Sequence, residues 1–168
     1  IQEGVEKFPS QEYFIGNLMD YYIQKGKIDE GLTQMDAVLA KNSTPYFMYV
    51  KGVLQYEKKD YEGAIATFNQ IIAEGKDFVA EAYSKIGDCS FFPAQEIVEE
   101  NSKLSMDDPK YAANEAKIKE LYEKALPFYE KAKEAKPDNR QLWGQYLLNI
   151  YWKLDKEKYN ALEKELGY

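Results

Sequence analysis

The chain has no histidine and a single cysteine among its 168 residues. Without an imidazole there is no Ser-His-Asp or Cys-His nucleophile, no histidine-bound metal, and no use of the commonest general base. Cys89 has no second cysteine to pair with in this chain and reads as a small buried apolar residue. A Gly-rich phosphate loop, a dinucleotide fingerprint and a Cys-x-x-Cys pair are all missing. Long apolar runs are missing too: the longest, residues 147–152, includes Asn149 and falls far short of the roughly 20 residues that span a bilayer. Positive charge is in deficit, with 22 Lys and Arg against 29 Asp and Glu and a net charge of −7. Phosphate backbones and anionic membrane surfaces both call for clustered Lys and Arg, so neither is an expected partner. The expectation is a chain that is not an enzyme, holds no cofactor and no metal, and does not insert into a membrane.

Carboxylates are plentiful, so residue type alone leaves a paired-acid site open, but solvated helix faces explain them more simply. Asp107-Asp108 lacks the spaced oxygens of a Ca²⁺ loop, and helix capping accounts for Asp108. Asn42-Ser43-Thr44 matches a glycosylation triplet, a pattern that also arises by chance.

What the chain does have is a repeat. Ile28-x-x-Gly31-x-x-x-Met35, Tyr61-x-x-Ala64-x-x-x-Phe68 and Tyr122-x-x-Ala125-x-x-x-Tyr129 are three copies of one fragment. The first two lie 33 residues apart and the third 61 further on, a full repeat plus an insertion. Periods of this size signal stacked helical hairpins, which bind other molecules more often than they transform them. The small residues suit close helix crossings: Gly52, Gly87, Ala64, Ala125 and Ala132 leave room for an aromatic ring on the facing helix. Thr44-Pro45 and Asp108-Pro109 each read as an N-cap followed by proline in the first turn, and Lys136-Pro137-Asp138 as the end of one helix and the cap of the next.

These positions resemble the tetratricopeptide repeat. Its first-helix and second-helix signatures are matched by Met48, Gly52, Tyr56, Tyr61, Ala64 and Phe68, and again by Tyr83, Ile86-Gly87, Tyr122, Ala125, Tyr129, Ala132 and Pro137. A weaker copy runs through Ile15, Leu18, Tyr22, Gly26, Ile28, Gly31 and Met35. A final unit holds Trp143, Tyr146, Tyr151 and Tyr159, with a closing helix through Leu162 and Leu166. The resemblance implies an all-α fold, a right-handed superhelical solenoid of antiparallel helix pairs. It divides one domain, 1–168, into the end of a preceding repeat (1–9), repeats at 10–44, 45–77 and 78–137, and a final repeat with its capping helix at 138–168. Because Ile1 is not a methionine and Pro9 sits where a repeat would end, more repeats and a signal peptide are expected to precede this segment, making it the C-terminal part of a longer protein.

The third repeat departs from the pattern. Gly87 to Ala125 spans 38 residues where Gly52 to Ala64 spans 12, and the extra 26 residues, about 93–120, are Glu/Lys/Ala-rich and periodic. Both helices of this repeat are therefore expected to be longer by about three turns, forming a projecting hairpin with Pro93 and Pro127 as kink sites. An insertion of this kind, with its Ala-Leu-Pro-Phe-Tyr-Glu-Lys-Ala stretch, resembles exported tetratricopeptide proteins of gut-dwelling Gram-negative bacteria, which implies a periplasmic or otherwise exported location.

In such a stack the first helices line a concave groove. The facing series are Tyr13, Gly16, Asp20, Ile23 and Gln24 in the first repeat; Tyr46, Tyr49, Val53 and Tyr56, with Glu57 beside them, in the second; and Glu81, Ser84, Asp88 and Phe91 in the third. This surface is aromatic at its centre and acidic at its edges, suited to a neutral or basic protein or peptide, with Tyr46, Tyr49, Tyr56, Asp20 and Asp88 as principal contacts. The carboxylate clamp of chaperone-binding relatives is not reproduced: Gly16, Asp20, Val50, Glu81 and Lys85 hold its places, and only Lys85 has a suitable charge. Two alternatives stand beside peptide binding: a glycan stacked on the tyrosines, and self-association through the projecting hairpin 94–123.

Overall fold

Eight α-helices and one short 3₁₀ turn, with no strand, build residues 12–168, the part of the chain that the computed structural model describes. The expected end of a preceding repeat, 1–9, lies outside these residues. The helices are α1 (Glu12–Gln24), α2 (Ile28–Lys41), α3 (Pro45–Glu57), α4 (Tyr61–Glu74), α5 (Val79–Asn101), α6 (Pro109–Ala135), α7 (Gly144–Leu154) and α8 (Lys156–Leu166). Contacts divide the chain into two units, Ile1–Ala82 and Tyr83–Tyr168.

Local signals set the helix ends. Thr44 accepts a hydrogen bond from the Phe47 N–H at 3.2 Å, with Pro45 in the first turn behind it. Asp60 does the same for Gly63 at 3.0 Å, and Asp108 for Lys110 at 2.8 Å, again ahead of a proline. Each cap satisfies one of the donors that the first helical turn leaves over. Gly75 closes α4 at φ 65°, a left-handed conformation that costs glycine nothing. The expected cap at Asp138 is corrected: α6 does end at Ala135, but the chain then enters a 3₁₀ turn, Arg140–Leu142, and no helix begins at Asp138.

In the first unit α1 packs on α2 and α3, α2 on α3, and α3 on α4. The small-against-large logic of the repeat is visible atom by atom. A Cβ at Gly52 would stand 2.5 Å from the Phe68 ring, and one at Gly31 would stand 3.1 Å from Tyr22. Ile15, Leu18, Tyr22, Met35, Phe47 and Leu54 form one buried cluster around these crossings. Two cross-helix ion pairs, Lys51 with Asp36 at 2.7 Å and Lys58 with Asp29 at 2.6 Å, tie α3 to α2 at the surface.

α5 and α6 run for 23 and 27 residues, against 13 and 14 for α3 and α4, so both are the longer helices that the sequence led one to expect. Pro93 and Pro127 lie inside them. The two helices meet through aromatic rings: Phe91 stacks on Tyr122 at 5.6 Å, and the Tyr129 ring fills the notch over Gly87. α7 and α8 pack on each other, α7 packs on α6, and Trp143, 1 % exposed, anchors the turn before α7. Its indole N–H donates to the Lys136 carbonyl at 3.2 Å, which satisfies the one polar atom of a buried ring.

Candidate functional site

α1 and α3 enclose a pocket of about 200 Å³ in the first unit. α1 contributes Gly16, Met19, Asp20 and Ile23, and α3 contributes Tyr46, Tyr49, Val50, Val53 and Leu54. Both sets recur at spacings of three and four, so each is one helix face. Met19, Val50 and Leu54 are buried and form the floor; Tyr46, Tyr49 and Val53 are half-buried, and Asp20 is exposed at the rim.

Two details fix the aromatic wall. The Tyr46 hydroxyl lies across α1, donating to the Glu12 carbonyl at 3.3 Å. It can do so because residue 16 has no side chain: a Cβ there would come within 2.7 Å of that oxygen. Burial, with the Glu12 and Asp20 carboxylates adding to it, pushes the Tyr46 phenol above its usual range. Tyr49 is held between two rings, tilted against Phe68 at 5.8 Å and stacked on Phe78 at 5.4 Å. Phe78 also meets Tyr46 at 5.8 Å.

Phe78 is the contributor that the sequence reading missed. Its backbone takes φ 65°, an unfavourable conformation for a bulky residue, immediately before α5 begins. The strained turn sets its ring against both pocket tyrosines. The only trace in the sequence is a large aromatic directly after Gly75-Lys76-Asp77, where turn chemistry favours small polar residues.

Of the residues expected to face a ligand, Asp20, Tyr46, Tyr49 and Val53 are brought together, with Gly16 and Ile23 of the same series. Tyr13 stands on the first turn of α1, 74 % exposed and edge-on to Phe14. Gln24 and Glu57 are exposed at the last residues of α1 and α3. Tyr56 turns its ring to Tyr61 at 5.7 Å, and Glu81 is half-buried in the first turns of α5.

The expectation fails for Ser84, Asp88 and Phe91, which are buried within the second unit. Ser84 donates to the Leu142 carbonyl at 2.7 Å. Asp88 accepts from the Tyr129 hydroxyl at 2.7 Å and pairs with Lys85, also at 2.7 Å. Phe91 packs among Tyr122, Tyr129 and Tyr146. Each has a structural partner where a ligand had been expected. Cys89 is buried as expected, its thiol donating to the Lys85 carbonyl at 3.3 Å and pushed up to about 12, chiefly by burial and then by the Asp88 carboxylate.

Among the described residues no group of three or more Cys, Asp or Glu is placed to hold a metal ion, and no helix is long and apolar enough to cross a membrane. Chemically, the pocket offers an apolar floor, two tyrosine edges and one carboxylate at the rim. That set can receive an apolar side chain and, beside it, an N–H or cationic group.

Residues 17–77 match a tetratricopeptide repeat family model. The matched segment runs from the second turn of α1 to the turn before α5, and it holds every residue lining the pocket except Gly16. No curated protein and no solved structure matches the chain. The tetratricopeptide match thus coincides with α1–α4, where the crossings of Gly31 with Tyr22 and Gly52 with Phe68 are formed.

Proposed function

We propose that the chain is a non-catalytic scaffold that binds a protein or peptide segment in the pocket between α1 and α3. One observation carries this reading: the first helices of two successive hairpins, inside the segment that matches tetratricopeptide repeats, line one open pocket with Tyr46, Tyr49, Val53 and Asp20. Tetratricopeptide repeats generally mediate protein–protein interaction, and an aromatic-walled notch suits that use. The single rim carboxylate and the net charge of −7 favour a neutral or basic segment over an acidic one.

The test is a peptide array of matched basic, neutral and acidic sequences, followed by affinity measurements on Y46A, Y49A and D20K variants. Loss of either tyrosine should weaken binding by about 1–3 kcal/mol, as truncation at a buried interface centre does. D20K should discriminate against basic peptides and flatten the salt dependence. Undiminished affinity in both tyrosine variants would remove this pocket from the binding surface.

A further inference from the structure

Phe78 stands directly before α5, and its carbonyl accepts the Ala82 N–H at 2.8 Å, the first bond of that helix. This is the N-cap place, which serine, threonine, aspartate and asparagine usually fill because their side chains bond the free N–H groups. A phenyl ring supplies no such bond, and the φ of 65° adds backbone strain. The position is disfavoured on both counts.

The chain starts comparable helices without either cost. At the corresponding place one repeat earlier, Pro45 opens α3 behind Thr44, whose hydroxyl accepts the Phe47 N–H at 3.2 Å. Asp108-Pro109 opens α6 in the same manner. None of these four residues has a positive φ. A costly conformation that the fold avoids elsewhere persists only where its surroundings hold it, and such residues gather at ligand clamps and binding sites.

What the Phe78 ring meets is the aromatic wall of the α1–α3 pocket. It stacks on Tyr49 with centroids 5.4 Å apart and planes 26° from parallel, and it lies 5.8 Å from Tyr46. Both tyrosines line the pocket, whereas Phe78 does not. Each also has a restraint of its own, Tyr46 through its hydroxyl on the Glu12 carbonyl and Tyr49 through Phe68. Phe78 is a contact that the two share.

We propose that Phe78 is a positioning residue for binding: it touches no peptide itself and keeps the Tyr46 and Tyr49 rings in their binding orientation before one arrives. This role rests on the α1–α3 pocket being the binding site. Tyrosines left free would have to be ordered at the moment of association, and that ordering lowers affinity. The strain at residue 78 is offset by two rings that are already in place.

Fluorescence anisotropy with the tightest-binding peptide of the array, labelled with fluorescein, tests this on wild type, F78A, F78Y, Y49A and Y49A/F78A. All are measured at a temperature where circular dichroism shows them fully folded, so a residue that only stabilised the fold would leave affinity unchanged. F78A is expected to weaken binding about fivefold or more, as the ordering of one or two side chains on association does. F78Y keeps the ring and should restore the wild-type affinity. In the Y49A background the F78A change should cost clearly less, because part of what Phe78 positions is gone. Should F78A fail to fold, F78L keeps apolar bulk without the flat stacking face and takes its place, with the same expectation.

Wild-type affinity in the folded F78A or F78L protein overturns the proposal. So does an equal loss with and without Tyr49, because Phe78 would then act independently of the ring it stacks on. If no array peptide binds, or if Y46A and Y49A both leave affinity intact, the pocket itself fails as the binding site and this role falls with it.

Discussion

The Tyr129 hydroxyl donates a 2.7 Å hydrogen bond to Asp88 Oδ1 inside the second unit, while the other Asp88 oxygen takes the Lys85 ammonium, also at 2.7 Å. The side chain of Asp88 is only 2 % exposed, so its carboxylate depends on these two partners. The same Tyr129 ring rests over Gly87 and stacks on Tyr146 with centroids 4.6 Å apart and planes 5° from parallel. One phenol therefore locks α6 to α5 by shape and by hydrogen bonding at once.

Y129F keeps the ring and removes only the donor. Because the carboxylate stays buried, the loss should approach the full cost of an unsatisfied polar group, about 1–3 kcal/mol. Urea unfolding of the two proteins measures it. A shift indistinguishable from zero would mean that Asp88 is solvated more than its burial indicates.

Gly87 and Gly144 should respond unequally to alanine. A Cβ at Gly87 would come within 2.8 Å of Tyr129, a ring that its stack on Tyr146 prevents from retreating. Overpacking of this kind costs about 1–3 kcal/mol, more than the roughly 1 kcal/mol that alanine gains over glycine in a helix. At Gly144 the nearest atom would be Arg140 Cβ at 3.6 Å, an ordinary contact, so G144A should change stability by less than about 1 kcal/mol. Thermal melts of both variants decide whether packing is what requires glycine at position 87.

Much of this architecture was legible in the chain because the repeat encodes a packing rule. Gly52 with Phe68, and Gly87 with Tyr129, are signature positions that meet as the pattern implies. Thr44-Pro45 and Asp108-Pro109 announced the starts of α3 and α6. The site was less legible. A spacing of three and four identifies one helix face, but not whether that face meets solvent or another helix. Tyr46 and Tyr49 on α3 border an open pocket, whereas Ser84, Asp88 and Phe91 on α5 turn into the core. Phe78 had no periodic signal at all, since its position depends on a backbone angle.

Cys89 should be inert in the folded protein. With its thiol pushed up to about 12, the thiolate is scarce at pH 8, and the side chain is 5 % exposed. Alkylation by iodoacetamide at pH 8 should be slow in buffer and fast in 8 M urea, the increase tracking unfolding. Rapid labelling of the native chain would contradict both its burial and its raised pKa.

Among the described residues, two that are not glycine have positive φ, Lys59 at 63° and Phe78 at 65°. The conformation costs each about 1–2 kcal/mol, which glycine would relieve. At the exposed Lys59 the relief is offset mainly by the greater freedom of glycine when unfolded, so K59G should be neutral to stabilising by up to about 1 kcal/mol. F78G gains the same relief but forfeits the ring contacts with Tyr46 and Tyr49, each worth about 0.5–1.5 kcal/mol beyond the area buried, and should be destabilising. If F78G were the more stable variant, the strained turn would have no structural return, and its ring would have to be explained by binding alone.

Alkaline pH should expose the role of Tyr151. Its hydroxyl donates to Glu130 Oε1 at 2.7 Å, and burial, followed by that carboxylate and by Asp155 and Glu165, holds the phenol above the ordinary value of 10.0. As pH rises through 10 the unfolded chain releases this proton before the folded one does. The folded state then binds more protons, and stability must fall with pH. The contribution is fully present below the unfolded value and is lost progressively above it, by at most about 1.4 kcal/mol per pH unit for one group. Other raised phenols, Tyr46 and Tyr122 among them, add to the same slope. Y151F should therefore make the decline in urea stability between pH 10 and 12 shallower without abolishing it, and leave the pH dependence between 7 and 9 unchanged. An unaltered slope would mean that the Tyr151–Glu130 hydrogen bond does not hold its proton against hydroxide.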